Sequence, residues 1–161
     1  MSFPRYPKYK NGGVQWQSEL PASWSPVRLR FLLKDGHEGM KIRPFGSQLI
    51  SDVLLSDGPY KVYGQENIIA GDFGRGSRFL SEDKFRELSS YEIKPGDVLI
   101  TMMGTSGRCG VAPRLMQPGV MDSHLLRIRV NASVSPEFLS LLIDDVLAPD
   151  QLFVSGVSHQ T

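Results

Sequence analysis

The hydrophobic pattern is sharpest at residues 98–102, where an apolar run follows the turn Pro95-Gly96-Asp97 and predicts a buried strand. Proline presets one backbone angle of such a turn and glycine supplies a positive one. The strand ends at Gly104-Thr105-Ser106-Gly107 with Arg108 behind it, and a further strand is expected at Val111-Ala112. Tyr60-Lys61-Val62-Tyr63 alternates as a strand after the turn Asp57-Gly58-Pro59. Gln65 and Asn67 fall at the end of that strand, ahead of Ile68-Ile69-Ala70 and a turn at Gly71-Asp72. Residues 125–130 alternate as well, so Leu126, Ile128 and Val130 are expected to face one way and Arg127 and Arg129 the other, as in a half-buried strand. Ser81-Glu82-Asp83 reads as the cap and first turn of a short helix reaching Leu88. Ser135-Pro136 opens a second helix, whose Phe138, Leu139, Leu142, Ile143, Val146 and Leu147 form one apolar stripe before Pro149 stops it.

Elsewhere the pattern is weaker. Residues 1–24 show neither helical nor strand periodicity and are expected to form an extended arm, with Trp16 and Trp24 as packing anchors. Val27-Arg28-Leu29 suits a short strand, and Phe31-Leu32-Leu33 a brief helix ending at Asp35-Gly36. Residues 41–55 give mixed signals, a loop with a short helix or strand around 49–55, and residues 72–78 read as a flexible basic loop. One domain is expected over residues 25–150, followed by a polar tail at 151–161 that reads as a cut end.

Composition narrows the class. A chain of 161 residues that is 40% hydrophobic and 22% charged can bury a core as one globular domain. The single cysteine, Cys109, excludes an internal disulfide framework, and the absence of a signal-peptide pattern or a long apolar run points to a cytoplasmic protein with no membrane partner. Net charge is only +1, but its distribution is uneven. Residues 1–50 carry eight Lys/Arg against three Asp/Glu, residues 101–130 four arginines against one acid, and residues 51–100 six bases against nine acids. A nucleic-acid face would therefore be assembled from the two basic stretches and selected loops.

The candidate chemistry is that of binding. The glycine-rich loop lacks the Gly-Lys-Ser/Thr of a nucleotide-binding phosphate loop and runs into a strand where such a loop needs a helix, which argues against nucleotide hydrolysis. It can instead present amides, hydroxyls and the Arg108 guanidinium to an anionic or hydrogen-bonding partner. Gln65 and Asn67 carry amides able to pair with adenine or to bond across strands. Three histidines and one cysteine are scattered singly, so no metal, cofactor or catalytic residue is expected; Asp122-Ser123-His124 is loop chemistry. Two alternatives stand beside a binding module. Asp72 with Glu82-Asp83-Lys84 or Glu92-Ile93-Lys94 has the acid-x-lysine form of a small metal-dependent nuclease, and the tryptophan-bearing arm suits a protein-interaction domain without DNA binding.

Several stretches taken in order carry a resemblance. Tyr6-Pro7-Lys8-Tyr9-Lys10 with Val14-Gln15-Trp16, Leu20-Pro21-Ala22-Ser23-Trp24, Arg28-Leu29, residues 60–68, Pro95-Gly96-Asp97-Val98-Leu99-Ile100, Gly104-Thr105-Ser106-Gly107, Leu126-Arg127-Ile128-Arg129 and Pro136-Glu137-Phe138-Leu139 together resemble the N-terminal target recognition domain of a type I restriction-modification specificity subunit. The resemblance implies an α/β (α+β) fold with a curved, largely antiparallel sheet and short peripheral helices. It implies a domain that reads one half of a bipartite double-stranded DNA target and supplies no chemistry, since methylation and cleavage belong to partner methyltransferase and restriction motor subunits. No Asn/Asp-Pro-Pro-Tyr/Phe methyltransferase motif occurs in the chain. On this reading the tail leads toward a helical spacer and second recognition domain that the sequence lacks. Lys61, Arg75, Arg78 and Lys84 are expected on phosphates, and Gln65, Asn67, Thr105, Ser106 and Arg108 on base edges.

Overall fold

The computed structural model describes residues 4–14, 17–42, 44, 49 and 51–147. The chain divides into two compact units, residues 1–32 and 33–161. In the first, β1 (Tyr9–Val14) and β2 (Gln17–Pro21) pair antiparallel with Tyr9 opposite Pro21, and the register shifts between Asn11 and Val14. This hairpin stands where the sequence shows no strand period. A two-stranded ribbon left largely exposed on both faces has no need of alternation, so none is written. Tyr6 meets Tyr9 and Trp24 edge to face, with ring centroids 6.4 and 5.8 Å apart; Trp16 lies outside the described residues. The strand expected at Val27-Arg28-Leu29 is absent. Arg28 is extended and Leu29–Phe31 forms a single 3-10 turn, because three residues of alternation find no partner strand.

The second unit contains β3 (Met40–Ile42), β4 (Tyr60–Tyr63), β5 (Phe79–Leu80), β6 (Val98–Thr101), β7 (Cys109–Val111), β8 (Gly119–Met121) and β9 (Leu125–Ile128). Its helices are α1 (Gln65–Ala70), α2 (Glu82–Glu87) and α3 (Pro136–Leu141). This is an α+β fold with largely antiparallel strands and short helices, the strands being shared among sheets. A four-stranded antiparallel sheet has the order β3-β9-β6-β7, and a three-stranded sheet the order β5-β4-β8. In the latter β4 and β5 are antiparallel and β4 and β8 are parallel, with Lys61 opposite Gly119 and Tyr63 opposite Met121. Gly119 is required there, since a Cβ would be driven into the backbone carbonyl of Lys61.

Alternation along the three-stranded sheet divides the core. Tyr63 and Met121 join Ile68, Ile93, Leu99, Ala112 and Leu125, whereas Val62 and Val120 join Leu80 and Leu88. Tyr60 stacks on Phe85 of α2 at 4.0 Å. Ser81 caps α2 by accepting from the amide of Lys84, and Ser135 caps α3 by accepting from that of Phe138. Of the α3 stripe, Leu139 and Ile143 are buried and Phe138 is exposed. The chain runs on through a wider helical turn at Leu142–Leu147, and the stop expected at Pro149 lies outside the described residues.

Arg127 of β9 and Arg129 just beyond its end are not on a solvated face. Arg127 is 1% exposed and Arg129 7%. Their strand lies inside the sheet, between β3 and β6, and their face is the one that Leu99 and Leu125 give to the core. Arg129 is neutralised there by a two-pronged pair with Asp97, Nε to Oδ1 at 2.7 Å and Nη2 to Oδ2 at 2.8 Å, and by Glu38. The hydrogen bonds to Asp97 come first in raising the pKa of Arg129 against its burial. Arg127 donates to the carbonyl of Glu92, and its pKa is lowered by burial and by the neighbouring charge of Arg129.

Candidate functional site

A cleft of about 420 Å³ opens between α1 with the turn that follows it and β7, and Pro113 and Leu115 close one end. The α1 wall begins at Gly64, the helix N-cap. Gln65 and Asn67, expected at a strand end, are helical, and the Asn67 side chain secures the helix start by accepting from the Gly64 amide at 3.0 Å. Asn67 is fully buried, and its amide nitrogen donates to the carbonyls of Asp72 (2.9 Å) and Arg75 (2.8 Å). Lys61, 3% exposed, sends its ammonium to the carbonyls of Gly74 (2.6 Å) and Gly76 (3.3 Å). The loop expected to be flexible is thus tied from beneath by two buried donors. The residue types expected at DNA are here holding backbone.

Arg78 is tied as well, bonding to Glu66 at 2.5 Å and to Asp122 at 3.1 Å. Burial works against its charge, but the carboxylates of Asp122 and Glu66 outweigh that and raise its pKa. This cluster needs Gly64 beneath it, because a Cβ there would run into Arg78 Nη2 and Glu66 Oε2. Gln65 Oε1 is buried without a hydrogen-bond partner among the described residues.

Behind the β7 wall, Thr101 at the end of β6 holds the loop that leads into β7. Its hydroxyl donates to the carbonyl of Thr105 and accepts from the amide of Arg108 at 3.0 Å, while Gly107 N–H bonds Thr101 O at 2.8 Å. These bonds close the glycine-rich loop and leave the Thr105 and Ser106 side chains exposed. Arg108 Nε donates to Asp144 Oδ1 at 2.8 Å, and the same oxygen accepts from the Cys109 amide at 3.1 Å. Burial, together with Asp144, pushes the Cys109 thiol up to about 12. The end of the cleft is pinned by Tyr63, which donates to the carbonyl of Gln117 at 2.6 Å, and by Gln117, which donates to that of Gly58 at 2.8 Å. Leu115 stands out from this loop, 95% exposed.

Of the expected site residues, Arg75 follows the cleft residue Gly74 and Arg108 precedes the cleft residue Cys109, with Thr105 and Ser106 on the loop leading to Arg108; none of the four lines the cleft itself. Arg75 is exposed and has no side-chain partner among the described residues. Lys84 lies on α2 and pairs with Glu87 at 2.8 Å, off the cleft. Asp144 and Leu115 had no signal in the sequence: one sits within an apolar helical stripe and the other in an aperiodic loop. The acids of the acid-x-lysine pairs are engaged, Glu82 with Arg86, Glu92 with Lys94 at 3.6 Å and Asp72 with the Gly74 amide at 2.8 Å. Among the described residues no three of His, Cys, Asp and Glu converge as metal ligands, and no helix is long and apolar enough to cross a membrane.

No family model matches the chain, and no curated protein does. Solved structures do. A chain from a study of complex assembly and conformational transition of the type I R-M system superposes with a TM-score of 0.59 at 19% identity, over 88% of this chain and 31% of that one. The HsdS subunit from Thermoanaerobacter tengcongensis superposes with a TM-score of 0.52 at 21% identity, again over 88% and 31%. The fold is the one these chains have over the aligned region. The chain spans about a third of the length of these neighbours. The α+β, largely antiparallel architecture expected from the resemblance is the one observed.

Proposed function

We propose that this chain is a non-catalytic, sequence-specific DNA-recognition module of a type I restriction-modification specificity subunit. It would read one half of a bipartite target in the cytoplasm. Methyltransferase subunits and, through them, the restriction motor are its partners on this reading, and residues 25–150 form the recognition domain. The observation that carries the proposal is the cleft itself. The loops that adjoin it carry the exposed residues Arg75, Thr105, Ser106 and Arg108 on backbones held from within, in a fold shared with an HsdS chain.

Within this reading, Arg75 sets register on phosphate, and Thr105, Ser106 and Arg108 face the bases. Lys61 and Asn67 support the loop that carries Arg75. Fluorescence anisotropy on a randomised duplex pool, in chelator and at two salt concentrations, tests the proposal. Metal-independent binding whose affinity falls steeply with salt is expected. Salt-insensitive binding, or nicking that needs magnesium, overturns it.

A further inference from the structure

Arg108 ends the glycine-rich loop half in solvent, its side chain 49% exposed, yet it does not swing freely. Its Nε–H is held by Asp144 Oδ1 at 2.8 Å, 36 positions further along the chain. Asp144 is itself fixed, because the same oxygen accepts the backbone amide of Cys109 at 3.1 Å. The carboxylate sits lower than the arginine, 22% exposed against 49%. Holding a guanidinium through Nε fixes the plane of the group. It leaves the outer edge, Nη1 and Nη2, which has no partner among the described residues. That edge offers two parallel N–H groups, the geometry that pairs with O6 and N7 of guanine in the major groove.

A phosphate contact makes no such demand. Phosphate oxygens accept from many directions, so an arginine serving only as a charge gains nothing from a fixed plane and is weakened by an adjacent carboxylate. Base reading is directional and gains from a guanidinium ordered before binding. We propose that Asp144 is a positioning residue that presents Arg108 end-on to a guanine, so that the half-target contains a G·C pair read by this arginine. The proposal rests on the DNA-recognition reading above.

Selection of bound sequences from a randomised duplex pool, with the whole chain and its Asp144→Ala and Asp144→Asn variants, tests it. The unaltered chain is expected to fix a guanine at one position. Asp144→Ala should reduce the preference there by on the order of tenfold and leave the other positions as they were. Asp144→Asn keeps an oxygen for both N–H groups and should retain most of the preference. Replacing the selected guanine by 7-deazaguanine, which lacks the N7 acceptor, should weaken the unaltered chain by a similar factor and leave Asp144→Ala nearly indifferent. An unchanged selection by Asp144→Ala overturns the proposal while leaving DNA recognition standing. If Asp144→Ala does not fold, indifference of the unaltered chain to 7-deazaguanine at every selected guanine overturns it equally. Absence of any salt-sensitive DNA binding removes the parent reading and this one together.

Discussion

Lys61 and Asn67 show how far a polar side chain's role depends on what covers it. A lysine on an alternating strand and an asparagine beside a glycine look like surface groups. Both are instead buried donors to the carbonyls of residues 72–76. Lys61→Ala should therefore cost roughly 1–3 kcal/mol of stability, the range for leaving buried groups unpartnered, and should leave the salt slope of DNA binding unchanged. Asn67→Ala should cost a similar amount and loosen the same loop, seen as a lower urea midpoint and faster amide exchange at Arg75. Arg75→Ala is the contrast. Its side chain is exposed, so stability should hold while the salt slope falls by about 1 and all sequences are weakened alike.

β8 has little sequence of its own to announce it, yet the three-stranded sheet depends on it. Gly119→Ala should collide with the Lys61 carbonyl and separate β4 from β8. The loss should be on the order of 3 kcal/mol, measurable by denaturant titration. β4, β6 and α2 were legible because each is a local pattern: an alternation, an apolar run after a turn, a serine cap before acids. The glycine-rich loop was legible for the same reason. β3 and β8 were not, since three-residue strands such as Gly119–Met121 are defined by their partners and carry no period. Arg127 and Arg129 were misplaced because alternation gives the two faces of a strand without saying which is covered, and Asp97 makes the charged face buriable. Arg108 could be read as a candidate; its clamp by Asp144 could not, because a contact 36 positions apart exists only once α3 packs along β6 and β7.

Two acidic protons are retained by the folded chain beyond their usual range. Burial pushes Tyr63 up to about 12, where it donates to the Gln117 carbonyl, and it pushes Cys109 to about 12 beside Asp144. The unfolded chain releases these protons from about pH 9.0 for the thiol and 10.0 for the phenol. Between those values and about pH 12 the native state holds more protons than the unfolded one, so stability falls as pH rises. Urea midpoints should be unaffected by these groups below pH 9 and decline through pH 10 and 11, and Cys109→Ser should delay the onset. The parallel pairing of β4 with β8 has a further consequence, for the order of events in folding. α1, β5, α2, β6, β7 and the whole cleft lie within the chain segment that this pair encloses. Closing a loop of roughly 60 residues costs about 3–4 kcal/mol of chain entropy, so β4 and β8 are expected to join after the antiparallel pair β6 and β7 between them has shortened the effective loop. The β4–β8 pairing, whose intervening segment holds the cleft, is then expected to be a late step in folding, and amide exchange along β4 and β8 should exceed that along β6 and β9.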